Sequence, residues 1–177
     1  MLHRDFYDTS TLIAGLSRFK KDKKDIERRI SPIKVISRSK SGETFGFTSY
    51  LVMVEFGGVL ATKAKETLEF IEEAIECFKK FNIKIIYPTY RVQFEEEYAE
   101  TSSVMERVLQ KWSEDVLKIS AKYQLNGLDA SHLLTAVEHD CTRFITWDDD
   151  FLSNPNFRTK SIKELKGIQI TSPERIT

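Results

Sequence analysis

The sequence predicts an α/β fold with a mainly parallel sheet and helices on both faces. Three observations predict it. Short β-branched and aromatic runs alternate with longer segments of helical period. Acidic residues stand where predicted strands hand over to helices, and in an open α/β sheet that carboxyl edge is where ligands bind. Finally, 177 residues suffice for one domain with a proper core, and no internal repeat or low-complexity linker divides them, so 1–177 is read as a single domain.

Taken in order, Asp5-Phe6-Tyr7 is a short strand ending at Asp8, and Thr9-Ser10-Thr11 leads into the apolar run Leu12-Ile13-Ala14-Gly15-Leu16. A helix is expected from about Ser10 to Phe19. The basic segment Lys20 to Arg29 extends it, and Ser31-Pro32 ends it. Ile33 to Ser37 has β character and Ser39 to Gly46 loop character. A helix follows from about Thr48 to Thr62, weakened by Gly57-Gly58. Lys63 to Phe81 is amphipathic, with Leu68, Ile71, Ala74, Ile75 and Phe78 at helical spacing. Asn82 closes that helix, and Ile83 to Tyr87 is a strand stopped by Pro88. Arg91 to Tyr123 reads as helical with a break around Thr101 to Ser103, its later apolar face supplied by Trp112, Val116 and Ile119.

The stretch from Asn126 to Phe151 carries the densest signal. Gly127 interrupts the preceding helix, Asp129 sits in the first turn of the next, and Leu133, Leu134, Ala136 and Val137 carry it to about Asp140. Arg143 to Trp147 is a short strand, followed at once by Asp148, Asp149 and Asp150. Ile168 to Thr171 is the last strand, ended by Ser172-Pro173.

Hydrophobic residues make up 41% and charged residues 31%, as in ordinary globular proteins. No apolar run reaches the ~18 residues of a membrane span. The start, MLHRDFYD, lacks an apolar signal core, so a cytoplasmic location is expected. Cys77 and Cys141 are too few and too far apart for a metal cluster and read as small core hydrophobes. Net charge is zero, yet residues 18–40 hold ten Lys or Arg against three Asp or Glu, leaving −7 for the rest. That asymmetry suits a basic arm for phosphates beside an acidic pocket, with Lys20, Lys21, Lys23 and Lys24 as candidate RNA contacts. A solvated lysine-rich loop is the plain alternative.

Each acid alone has a structural explanation. Asp8 and Asp129 suit helix caps, and Asp148 to Asp150 an acidic turn. Glu55 is different: on a helix it shares a face with Leu51, Val52 and Val59, and no basic residue lies within one turn. A buried carboxylate there needs a metal or a distant Lys or Arg. Together, Asp8, Glu55, Asp129 and Asp148 at one end of a sheet repel one another and call for a counter-ion. Hard oxygen donors favour Mg²⁺ or Mn²⁺ over Zn²⁺. Thr9, Ser10 and Thr146 are placed to hydrogen-bond and aim the carboxylates. His132 and His139, seven apart, read as surface or packing histidines, although His132 is close enough to Asp129 to test.

Four segments in order, YDTSTLI, TSYLVMVEF, LDASHLLTA and ITWDDDF, resemble the PIN-domain family of metal-dependent ribonucleases, especially the toxin nucleases of toxin–antitoxin pairs. The resemblance implies a PIN-like α/β/α sandwich and an Mg²⁺- or Mn²⁺-dependent endoribonuclease. It gives Asp8, Glu55, Asp129 and Asp148 the catalytic roles, with the metal on Asp8, Asp129 and Asp148. Asp148 fits the family's fourth acid through the spacing Thr146-Trp147-Asp148; Asp150, before Phe151, is the other candidate. It further implies an RNA substrate, a homodimer and an antitoxin across the site. Residues around 20–47 are longer than in compact members and read as a basic insertion, a hairpin or clamp over the site. Two other readings stand beside it: a PIN-like module that binds RNA or protein without cutting, and a metal-dependent DNA nuclease. Against the latter, the chain lacks the extra helical segments of the flap enzymes.

Overall fold

Parallel strands cannot be joined by tight turns, so each needs a crossover, and helices supply them here. The computed structural model describes residues 2–16, 23–63, 65, 67–88, 101–157 and 165–176. Among these, five strands form one all-parallel sheet: β1 (His3–Tyr7), β2 (Thr44–Ser49), β3 (Ile83–Ile86), β4 (Arg143–Ile145) and β5 (Gln169–Thr171), in the order β3-β2-β1-β4-β5. The helices are α1 (Thr9–Leu16), α2 (Lys23–Lys40), α3 (Tyr50–Thr62), α4 (Leu68–Lys80), α5 (Thr101–Tyr123), α6 (Gly127–Glu138) and the single turn α7 (Asp149–Leu152). This is the α/β class that the alternation of elements predicts.

Both faces of the sheet are covered, and β1 shows how. Successive side chains point to opposite faces. Phe6 stacks on Phe144 of β4 (5.1 Å between ring centres), and a ring chain runs on through Phe151, Phe157 and Tyr123 of α5. Tyr7 points the other way, its hydroxyl 2.5 Å from Ser39 Oγ and 3.3 Å from the Val35 carbonyl of α2. Asp5, on the same face as Tyr7, forms a bidentate ion pair with Arg143, its register partner on β4, at 2.6 Å for both contacts. Both groups are buried. Replacing such a pair with apolar residues is often neutral, but breaking it strands a charge in the core. The pair therefore selects the β1–β4 register, since a one-residue slip would separate the two charges.

The segment after α1 departs from expectation. Pro32 does not end a helix: α2 runs through it to Lys40, so Ile33 to Ser37 is helical and not β. The reason is a core-facing stripe. Pro32, Val35, Ile36 and Ser39 are buried, at spacings of three, four and seven. Gly15 lets α1 approach them, since a Cβ there would stand 2.6 Å from Ile36 Cδ1. Tertiary burial outweighs the hydrogen bond that proline removes. The supposed loop Ser39–Gly46 also gives way, because β2 begins at Thr44 and continues to Ser49, delaying the next helix from Thr48 to Tyr50. Residues 23–40 are thus a helix of the crossover and not a hairpin. Gly46 is required in β2, where an added Cβ would lie 2.5 Å from Ser39 Oγ and 2.9 Å from Tyr7 Cε2.

Two boundaries shift as well. The helix expected from Lys63 starts at Leu68, capped by the Thr67 hydroxyl. The expected helix from Arg91 is present from Thr101, and its first ten residues lie outside the described residues. Among the described residues no helix is long and apolar enough to cross a membrane.

Candidate functional site

The strand order reverses between β1 and β4: successive crossovers step from β1 to β2 to β3 on one side, then return to β4 and β5 on the other. In doubly wound sheets the crevice at the carboxyl end of such a reversal is where ligands bind. Asp8 follows β1 at this point, and Thr146 to Asp148 follow β4.

Two hydroxyls tie these strand ends together. Ser10 Oγ and Thr146 Oγ1 donate to the same oxygen of Asp8, Oδ2, at 3.0 and 2.8 Å. Each also accepts a backbone N–H of the β4 exit, Ser10 from Trp147 and Thr146 from Asp148, both at 2.9 Å. One hydroxyl thus closes a loop and aims a carboxylate at once. Burial raises Asp8 above the ordinary carboxylate range, against the nearby His132 charge and the hydrogen bonds of Thr146, Ser10 and the Thr9 backbone.

Glu55 lies in the second turn of α3, which Ser49 caps by accepting the Val52 N–H at 3.0 Å. It is half-buried and not enclosed by the core as the apolar run suggests, since Leu51 and Val59 are themselves only half-buried. Its partner is neither Lys nor Arg. Glu55 Oε2 accepts from Thr9 Oγ1 and meets His132 Nε2 at 3.2 Å. These contacts, His132 first, hold Glu55 below the usual carboxylate range, with Lys63 helping from farther away. His132 is 1% exposed, and its Nδ1 lies 3.4 Å from Ser49 Oγ. An ionised Glu55 can only accept, so Nε2 carries the proton shared with it. The packing histidine of the sequence reading is therefore part of the site. Its burial is not legible locally, because α6 is buried at every position from Ala130 to Val137.

Asp129 sits in the first turn of α6 but does not cap it. Asn126 is the cap, accepting from the N–H groups of Leu128 and Asp129, while its amide donates to Asp129 Oδ2 at 2.6 Å. The Asp129 carboxyl is pushed up to about 7 by burial first, then by the charges of Asp8 and Asp148, with Glu55 adding to them and His132 opposing. Asp8, Glu55 and Asp148 are thus all within electrostatic reach of Asp129. Asp148 caps α7, its Oδ1 accepting the Asp150 N–H at 2.9 Å. Asp149 and Asp150 are exposed. Of the aspartates after β4, Asp148 is the one that acts on Asp129.

The acids do not close into a ligand shell. Among the described residues, no three His, Cys, Asp or Glu side chains form a group ready to hold a metal ion. Of the four candidate lysines, Lys20 and Lys21 lie outside the described residues; Lys23 and Lys24 begin the backbone of α2. Cys141 is buried, its thiol pushed up to about 12 by that burial, as suits a small core residue; Cys77 is half-buried.

No family model and no curated protein matches this chain. Its fold is similar to that of the crystal structure of PAE2754 from Pyrobaculum aerophilum, with a TM-score of 0.53 and 16% sequence identity, covering 99% of this chain and 93% of that one. At such identity the likeness shows the fold alone.

Proposed function

We propose that this chain is a PIN-like, metal-dependent ribonuclease whose site is built from Asp8, Glu55, Asp129 and Asp148. One observation carries the reading: at the reversal of strand order, Asp129 is pushed up to about 7 by burial first, and the charges of Asp8, Asp148 and Glu55 add to it. Like charge gathered in a half-buried crevice favours a cation. Hard oxygen donors suit Mg²⁺ or Mn²⁺, and Mg²⁺ is typically held by one or two carboxylates and several waters, so the lack of a closed protein shell is compatible with it. Asp8, Asp129 and Asp148 would hold the ion. When bound, it would stabilise charge on a phosphodiester and lower the pKa of an attacking water.

The chain's own residues supply orientation. Ser10 and Thr146 fix Asp8 through one oxygen. In the metal-free chain Asp129 is pushed up to about 7, so an ion bound there would displace its proton. The homodimer and antitoxin partner belong to this proposal as implications of the family resemblance. A specific observation favours a second reading, a module that binds RNA or protein without cutting: Glu55 already has His132 and Thr9 as partners.

The test is cleavage of labelled RNA with Mg²⁺ or Mn²⁺ by the purified protein and by Asp8→Asn. Loss of cleavage in the variant, with its unfolding curve retained, supports the nuclease. Equal cleavage by both removes Asp8 from the chemistry, and RNA binding with no cleavage under either metal favours the second reading.

A further inference from the structure

A pair of tyrosines stands on the same sheet edge as the acids. Tyr50 and Tyr87 are the residues immediately after β2 and β3, whose last paired residues, Ser49 and Ile86, are in register. Their rings stack on each other, with centres 5.7 Å apart and planes 23° from parallel, yet they remain 44% and 59% exposed. The stacked pair thus presents open aromatic surface to solvent, with the polar hydroxyl tip that suits tyrosine to a binding surface.

Helix α6 links this pair to the acid site. His132 reaches Ser49, next to Tyr50, and touches Glu55. One turn pair later, His139 Nε2 donates to the Tyr87 carbonyl at 2.7 Å. The same helix carries Asp129 in its first turn. The two histidines that the sequence sets seven apart thus tie both strand ends under the tyrosines to the helix that presents an acid. Neighbouring strands are about 4.8 Å apart, so the pair begins one strand spacing from β1 and Asp8.

We infer that Tyr50 and Tyr87 form a stacking platform for an unpaired base of single-stranded RNA, holding a nucleotide that flanks the bond at the acid site. Aromatic faces bind bases with little regard to sequence, and RNA-acting proteins use them on splayed, single-stranded segments. The inference rests on the reading of this chain as acting on RNA; it does not require that the chain cut.

The experiment is binding of a labelled single-stranded oligoadenylate to full-length Asp8→Asn protein, with Tyr50 and Tyr87 intact or changed singly to Ala or Phe. An abasic strand of equal length and a duplex serve as competitors. Each Ala change should weaken oligoadenylate binding by between about fivefold and a hundredfold. Phe should retain most of the affinity, because it keeps the ring. Affinity for the abasic strand should be the same in all variants, and the salt dependence should not change, since stacking releases no counterions. Unchanged oligoadenylate affinity in both Ala variants overturns the platform, as does an equal loss on the abasic strand. Dissociation of a dimer in the Ala variants, with RNA affinity intact, would instead assign the pair and the exposed Val54 one turn along α3 to a second copy of the chain. If the tyrosines bind as expected but the wild type cuts no RNA with either metal, the nuclease reading fails and the platform stands. If the wild type cuts and the Ala variants bind normally, only the platform fails.

Discussion

Asp129→Asn in metal-free protein tests the acid constellation without any assumption about catalysis. The folded carboxyl titrates near 7 against an ordinary 3.8, so between those values the folded chain holds a proton that the unfolded chain has lost. Stability from this group is therefore fully present below the unfolded value and is lost as pH rises through the folded one. The whole difference corresponds to about 4 kcal/mol at 1.36 kcal/mol per tenfold step, and because the side chain is half open to water, screening reduces it to roughly 2 kcal/mol. Asparagine removes the charge and keeps an oxygen for the Asn126 amide. It also forfeits a negative charge at a helix N-terminus, worth about 0.3–1 kcal/mol, so the net gain at about pH 8 is roughly 1–2 kcal/mol. At about pH 3, below the unfolded value of 3.8, the carboxyl is neutral in the folded and unfolded chains alike and the gain should vanish. Urea unfolding of both proteins in chelator at the two pH values reads this directly. A stability difference that is the same at both pH values would refute the clustering of charge around Asp129. A second readout is the Asp129 carboxyl resonance in Asp8→Asn, whose titration midpoint should fall.

Three further outcomes follow from the structure. His132→Ala removes the first cause of the low Glu55 titration, so the Glu55 midpoint should move up in a carbon-detected NMR titration; an unmoved midpoint would make the contact incidental. Arg143→Met leaves the buried Asp5 carboxylate unpaired and should destabilise the fold by roughly 3–5 kcal/mol, whereas adding Asp5→Leu should restore most of that loss in the same urea assay. Changing Lys20, Lys21, Lys23 and Lys24 together to Gln should flatten the salt dependence of RNA binding by ~0.7 for each phosphate contact removed, and an unchanged slope would make them a solvated stretch.

Much of the fold was legible because it depends on local pattern. The strands at Asp5–Tyr7, Ile83–Ile86, Arg143–Ile145 and Gln169–Thr171 are short, apolar and bounded by turn residues, and α4 shows its buried stripe at 3.6-residue spacing. Acids at strand-to-helix junctions also announced themselves, because chain order alone says that a residue following a parallel strand lies at the carboxyl edge. Tertiary structure decided the rest. It made 23–40 a helix despite Pro32, because the buried stripe is formed by Pro32, Val35, Ile36 and Ser39, and two of those four are not apolar markers of a helix. It made TFGFTS a strand, because the glycine that reads as a loop is what Ser39 and Tyr7 pack against. It also chose His132 as the partner of Glu55 across 77 positions of sequence and set Tyr50 on Tyr87. Local sequence specifies which backbone a segment prefers. Which side chains meet is settled only when the crossovers bring distant segments to one edge of the sheet.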